Sequence, residues 1–237
     1  MSPDDELTGL LAELLGRPGG GLLLDLDGTL VDSEHVHRQA YRDYFAARGW
    51  TVGDDAVLAF SGRRAAEVFA TFDGPWTGED PDELTEGVLD ALRRTVLEPR
   101  AVPGAAATLA ACLRTDVPVA VVTSARLEWT LPALEMLGAD TRAGIRLVTA
   151  EDCTHGKPDP EPYRHGAELL GLDPARLVAV EDAPPGIASA LAAGVGHVLG
   201  VTTTHAAGAL ATAGAGSTAT DLTPLARALG SRSGHPA

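Results

Sequence analysis

Leu7, Leu10, Leu11, Leu14 and Leu15 recur at helical spacing and stop at the breaker Gly16-Arg17-Pro18-Gly19-Gly20-Gly21. This pattern predicts an amphipathic N-terminal helix within 1–18. The run Leu22-Leu23-Leu24 that follows is apolar at every position, as expected of a short strand buried on both faces. Residues Ser33 to Arg48 read as a helix, and helical stretches continue to about Pro99 without a convincing strand. From Ala101 the pattern changes. Pro103-Gly104 opens an Ala-rich helix, and short apolar or β-branched runs recur at 117–122, 145–148, 177–180 and 197–201, with helices expected over 131–137, 161–170 and 185–193. Strands and helices alternating at this spacing predict an α/β fold with a doubly wound parallel sheet. That core is expected over 19–34 and 101–230, interrupted by an all-helical insertion at 35–100 and followed by a loose tail at 231–237.

The chain of 237 residues is long enough for one such domain plus a smaller insertion, and 45% apolar residues suffice for a core. A formal charge of -15 argues against nucleic acid or an anionic membrane as partner, because both are bound by clustered Lys and Arg. An anionic small molecule would then need a local cation. No apolar run approaches the roughly 18 residues of a membrane span and the N-terminus is acidic, so a cytoplasmic location is expected. Cys112 and Cys153 lie far apart in unrelated contexts, which argues against a disulfide framework or a zinc cluster. The N-terminal helix has two places to pack, on its own domain or on a second subunit, and the latter would make a homodimer.

The chemistry concentrates where the first strand ends. Asp25-Leu26-Asp27-Gly28-Thr29 places two carboxylates two residues apart at the carboxyl end of a buried strand, where parallel sheets hold ligands. Two such anions repel unless a cation neutralises them or one holds a proton, which implies a bound metal or a proton-transfer role; an acidic turn capping the next helix is the alternative. Lys157 is the only lysine in the chain, and arginine supplies the rest of the Lys and Arg total of 18. A site that keeps lysine in so arginine-biased a chain needs a compact ammonium. It lies in Gly156-Lys157-Pro158-Asp159-Pro160, where Asp159-Pro160 reads as the N-cap and first position of a helix. Thr123-Ser124 and Glu181-Asp182 also follow apolar strands, and parallel strands would bring all of these to one sheet edge. There Thr123 and Ser124 offer hydroxyl and N–H donors for phosphate oxygens, with simple helix capping as the alternative.

Asp25-x-Asp27-Gly28-Thr29, Thr123 after a strand, Lys157-Pro158, and Glu181-Asp182 with Gly186-Ile187 and Ala193-Gly194 downstream resemble the four motifs of the haloacid dehalogenase superfamily. The likeness runs from about Gly21 to Thr203. Val102-Pro103-Gly104-Ala105, the segment Gly156 to Tyr163, and Val180 to Pro184 are most similar to glycerol-phosphate and 2-deoxyglucose-6-phosphate phosphatases, a group that includes the β-phosphoglucomutases.

The resemblance implies a Rossmann-like catalytic core with a helical cap, and a magnesium-dependent phosphatase acting on a small phosphorylated metabolite. Asp25 would be the nucleophile, forming an aspartyl-phosphate, and Asp27 the general acid and base. Thr123, Ser124, Lys157 and Gly28 would surround the phosphoryl group. Mg2+ would be held by Asp25, the backbone carbonyl of Asp27, Asp182 and nearby Glu181. The dehalogenases that name the superfamily lack the second aspartate, which favours a phosphate ester as substrate. In the cap, Ser61-Gly62-Arg63-Arg64 resembles the loop that enters the site, with Arg64 the first choice for a substrate contact and a solvated helix-start arginine the alternative. His37 stands where the β-phosphoglucomutases carry a catalytically coupled histidine, as many plain phosphatases also do. A phosphomutase and a non-catalytic binding protein are the competing readings; a cap without lysine favours hydrolysis over the first.

Overall fold

A computed structural model of the chain describes residues 2–139 and 144–231, so 232–237 of the expected tail lie outside the described residues. The apolar runs form a six-stranded sheet in which every neighbouring pair is parallel. Its strands are β1 (Gly21–Leu24), β4 (Val119–Val122), β5 (Ile145–Val148), β6 (Leu177–Glu181), β7 (His197–Val201) and β8 (Ser217–Ala219), in the order β5-β4-β1-β6-β7-β8. The chain winds outward through β4 and β5 on one side of β1, and through β6, β7 and β8 on the other. The carboxyl end of β1 is therefore the switch point of a doubly wound sheet.

Both faces of the central strands β1, β4 and β6 are buried, which is why these strands carry no polar alternation before their carboxyl ends. Leu22, Leu24, Val121 and Val180 point into a layer with Leu109 of α6 (Ala105–Arg114), Leu134 of α7 (Leu127–Met136) and Leu225 of α11 (Thr223–Gly230). Leu23, Val122 and Ala179 point the other way, against Tyr163 of α8 (Glu161–Leu170), Ile187 of α9 (Pro184–Ala192) and Leu210 of α10 (Ala207–Thr212). The N-terminal helix α1 (Pro3–Gly16), started by a Ser2–Asp5 capping box, packs on its own sheet: Leu7, Leu11 and Leu15 join the first layer beside α11. No helix among the described residues is long and apolar enough to cross a membrane.

Between β1 and β4 the chain leaves the sheet through an antiparallel ribbon, β2 (Val31–Asp32) with β3 (Arg100–Ala101). Inside this neck lie α2 (Glu34–Ala47), α3 (Asp54–Leu58), α4 (Ala65–Thr71) and α5 (Pro81–Arg94). They have a core of their own built on Phe45, Phe60, Phe69 and Trp76, with Phe45 and Trp76 stacked at 5.3 Å between ring centroids.

Several boundaries differ from the sequence reading. The strand expected at 117–122 begins at Val119, and β2, β3, β8, α10 and α11 are elements not expected from the sequence. Helix α7 begins at Leu127 rather than 131, because the Glu151 carboxylate, distant in sequence, accepts from the Leu127 N–H at 3.2 Å and stabilises the first turn. Thr123-Ser124 consequently sit in the loop before α7 and not at its first turn. The N-cap of α8 is Pro160 and not Asp159, because the helix starts at Glu161; Asp159 stands one residue earlier, its Oδ1 accepting from the Glu161 N–H at 2.9 Å.

Leu11 is fully buried while Leu10, one position away, is 38% exposed. Leu11→Ala should lower the unfolding free energy by about 3 kcal/mol and Leu10→Ala by no more than about 0.5 kcal/mol, as read from urea denaturation. Equal effects would show that α1 is not docked on the sheet.

Candidate active site

Lys157 gathers the strand ends. Its Nζ donates to Asp25 Oδ1 at 2.6 Å, to Glu181 Oε1 at 2.7 Å and to the Val122 carbonyl at 3.0 Å, linking the ends of β1, β6 and β4. Three divergent acceptors around one point suit an ammonium and not the planar fork of arginine, which accounts for the chain's solitary lysine. Lys157 is 1% exposed. Tyr163 supports it from α8, its hydroxyl donating to Glu181 Oε1 at 2.7 Å and its ring lying 5.2 Å from Nζ.

Asp25, Glu181 and Asp182 are buried and each offers a carboxylate oxygen within 4.8 Å of the others. One ammonium cannot balance three carboxylates. Burial and the Glu181 charge push the Asp25 carboxyl up to about 7 despite Lys157. Burial, with Asp25 and Glu181, raises Asp182 well above the ordinary range. Burial works against the Lys157 charge, but the two carboxylates outweigh it and hold the lysine above its usual value. Glu181 Oε2 is buried without a hydrogen-bond partner among the described residues. An all-oxygen, acidic set with an unpartnered oxygen has the donor chemistry of a magnesium site.

Asp27 is held quite differently. Ser33 Oγ donates to its Oδ1 at 2.6 Å, His37 Nε2 lies 3.0 Å from the same oxygen, and Trp129 Nε1 donates to it at 2.8 Å. Burial alone would raise this carboxyl; the charge and hydrogen bond of His37, with those of Ser33 and Trp129, outweigh it and keep the group below its ordinary value. Reciprocally, His37 is raised above its usual value, the Asp27 charge overcoming the burial of the ring. The Asp27 carboxylate thus stands outside the Asp25–Glu181–Asp182 cluster, which leaves its backbone carbonyl as the atom for the metal-ligand role expected of this residue.

The loop between the two aspartates and β2 is built for close approach. Gly28 has φ +83°, and a Cβ there would collide with the Asp182 carboxylate. Its carbonyl accepts from Thr203 Oγ1 after β7, and His205 Nδ1 contacts the Asp182 carbonyl at 3.0 Å. Thr29 is fully buried in the same turn. Across from this loop, Thr123 Oγ1 accepts from the Ala125 N–H at 3.0 Å, leaving its proton to donate, while Ser124 Oγ donates to the Gly62 carbonyl at 3.3 Å.

That last contact brings the helical lobe to the sheet edge. Gly62 has φ +70°, and a Cβ there would come 2.8 Å from the Ala183 side chain. Arg64 Nη1 donates to the Thr154 carbonyl at 3.2 Å, and Glu67 accepts from the Gly156 N–H at 2.6 Å, so these residues bind the lobe to the loop that carries Lys157. The Arg63 side chain makes no ion pair or hydrogen bond among the described residues, and its Nε is buried without a partner. Between lobe and sheet lies a cavity of about 320 Å³, open to solvent, whose walls include Asp25, Asp27, His37, Arg63, Arg64, Thr123 and Ser124. The structure therefore brings together every site residue named from the sequence, with Lys157, Glu181 and Asp182 beneath the cavity. The sequence reading assigned no role to Trp129, Ser33 or Thr203, and none to Tyr163 although it stands in the Lys157 segment; only long-range packing reveals them.

A family profile described as haloacid dehalogenase-like hydrolase matches residues 21–194. Validoxylamine A 7'-phosphate phosphatase of Streptomyces hygroscopicus subsp. limoneus is 38% identical over 174 residues, covering 73% of this chain and 81% of that protein. Hexitol phosphatase A of Escherichia coli (strain K12) is 39% identical over 182 residues, covering 76% and 81%. In fold, the chain is similar to β-phosphoglucomutase from Clostridium difficile, with TM-score 0.70 and 19% identity over 86% of this chain and 92% of that one. A profile spanning most of the chain and relatives of this identity decide its ancestry: the chain belongs to the haloacid dehalogenase-like hydrolases.

Proposed function

We propose that the protein is a magnesium-dependent phosphatase that hydrolyses a small phosphate monoester, of a sugar, a polyol or a biosynthetic intermediate, by way of a phosphorylated Asp25. The observation that carries this reading is that two aspartates open on one cavity in opposite settings: Asp25 sits with Lys157 among buried carboxylates, and Asp27 under three hydrogen-bonding side chains. Relatives named as phosphatases, one of them for hexitols, support the substrate class.

Lys157 fixes Asp25 Oδ1, leaving Oδ2 to attack phosphorus. As that oxygen–phosphorus bond forms, the bond to the ester oxygen breaks, and Asp27 in its acid form gives the departing alkoxide a proton. Asp27 then takes a proton from the water that attacks the phosphorus, which releases phosphate and restores Asp25. The Thr123 hydroxyl and the Ser124 N–H donate to phosphoryl oxygens throughout. Asp25, the Asp27 carbonyl and Asp182 would hold the metal, with Glu181 adjacent. When bound, magnesium supplies the positive charge that lets an anionic nucleophile approach an anionic ester. The helical lobe acts as a cap: Arg63 presents its guanidinium to the leaving group, while Arg64 and His37 line the same cavity from their contacts with Thr154 and Asp27.

A phosphate-release screen over sugar and polyol phosphates, run with and without Mg2+, tests this reading. Release that requires the metal and falls by a factor on the order of 10⁴–10⁶ in Asp25→Asn is the expected result. Isomerisation of a hexose phosphate with little phosphate release would replace it with the mutase reading, and no turnover of any ester would favour a binding protein.

A second prediction has a readout independent of turnover. Because Asp25 is pushed up to about 7, above the roughly 3.9 of an unfolded aspartate, the folded metal-free protein binds more protons than the unfolded chain in this window. Its stability must therefore fall as pH rises from about 4 through about 7. The Tm of the metal-free protein should be lower at about pH 8 than at about pH 6, and Mg2+ should raise it more at the higher pH, where protons compete less. A Mg2+ effect that is equal at both would contradict the carboxylate site.

A further inference from the structure

Asp27 must aim one carboxylate oxygen at the leaving group, and the donors around it decide which. All three donors converge on Oδ1, and none among the described residues reaches Oδ2. Ser33 and His37 both come from the stretch where the helical lobe begins. Trp129 comes from α7, on the sheet side of the cavity, and is the core's own hold on Asp27 among the described residues.

The indole is chemically suited to this task. Its N–H donates and cannot accept, so it fixes the carboxylate without competing for the proton that Asp27 transfers. The ring is also braced: its centroid lies 4.8 Å from that of His37 at an interplanar angle of 65°, an edge-to-face contact. The ring also lines a groove together with Leu89 and Leu92 of α5. The start of α7 is in turn fixed by Glu151.

We propose that Trp129 is a positioning residue for the acid–base step, its indole N–H holding Asp27 Oδ1 so that Oδ2 faces the leaving group in the cavity. This inference rests on the phosphatase reading above. Trp129 touches no reacting atom in this account; it acts through Asp27. Without the N–H, the carboxylate keeps two donors on the lobe side and loses its anchor on the core side.

The test exploits leaving-group chemistry. An alkyl phosphate needs a proton delivered to its departing oxygen, whereas p-nitrophenolate leaves unprotonated. Trp129→Phe keeps the ring and removes the donor. Its kcat/KM for sorbitol 6-phosphate should fall about 10- to 100-fold while that for p-nitrophenyl phosphate changes less than about threefold, an error of aim and not of binding. Trp129→His, which restores a ring N–H of similar reach, should recover part of the loss on the alkyl ester. Equal losses on both esters, or no loss on either, overturn the proposal. If Trp129→Phe does not fold, as judged by its circular dichroism, Trp129→Met, which also lacks the donor, takes its place under the same reading: a loss of about 10- to 100-fold confined to the alkyl ester supports the role, and equal losses on both esters or none on either overturn it. Where sorbitol 6-phosphate is not turned over, the alkyl ester that the phosphate-release screen finds to be turned over takes its place, and a wild-type chain that turns over no ester in that screen removes the phosphatase reading itself, and this inference with it.

Discussion

One buried ammonium joins three strand ends. Lys157 donates to Asp25, to Glu181 and to the Val122 carbonyl, so β1, β4 and β6 meet at a single charged point below the cavity. Removing one partner of a buried ion pair typically costs about 3–5 kcal/mol, because the remaining charges stay desolvated and unbalanced. Here the imbalance would be severe, with three carboxylates left facing one another. Everything else at this edge follows from the need to keep that cluster together: the fixed Asp25 oxygen, Tyr163 closing on Glu181, and the Gly28 turn that leaves room for Asp182.

The same cluster is a liability that function explains. Even with Lys157 the carboxylates are under-compensated, and burial holds Asp25 and Asp182 partly against ionisation. Proteins tolerate such frustration where chemistry requires it. Asp27, two residues away, lies in an opposite environment, with donors in place of anions around its carboxylate. Without a cation these settings favour a proton on Asp25 and a charge on Asp27; in the proposed mechanism a divalent ion beside Asp25 would ionise it for attack, and Asp27 would take up the proton it passes to the leaving group.

Most of the sheet was legible in the chain, because a strand buried on both faces must be apolar throughout, as Leu22-Leu23-Leu24 and Val119 to Val122 are. The edge strand Ser217–Ala219 was not, since small and polar residues there become a strand only by pairing with β7. Asp25, Thr123, Lys157, Glu181 and Asp182 were legible because each follows an apolar run or stands out by composition. Trp129 was invisible for a definite reason: its helix begins where a carboxylate 24 residues on accepts the first N–H, and its partner Asp27 lies 102 residues upstream. Arg64 illustrates the reverse. Its place in the Gly62 loop was readable, but only packing shows the guanidinium engaged with the Thr154 carbonyl while Arg63 faces the cavity without a partner among the described residues.

The central claim is that a covalent bond forms between substrate phosphorus and Asp25. The most direct measurement is an acid quench of the Mg2+-loaded enzyme turning over a phosphorus-labelled ester, followed by borohydride reduction and peptide sequencing. An aspartyl-phosphate reduces to homoserine, so label released by hydroxylamine and homoserine found at position 25 is the predicted result. Label on Thr123 or Ser124, or an enzyme that turns over substrate without ever carrying label, would contradict the account.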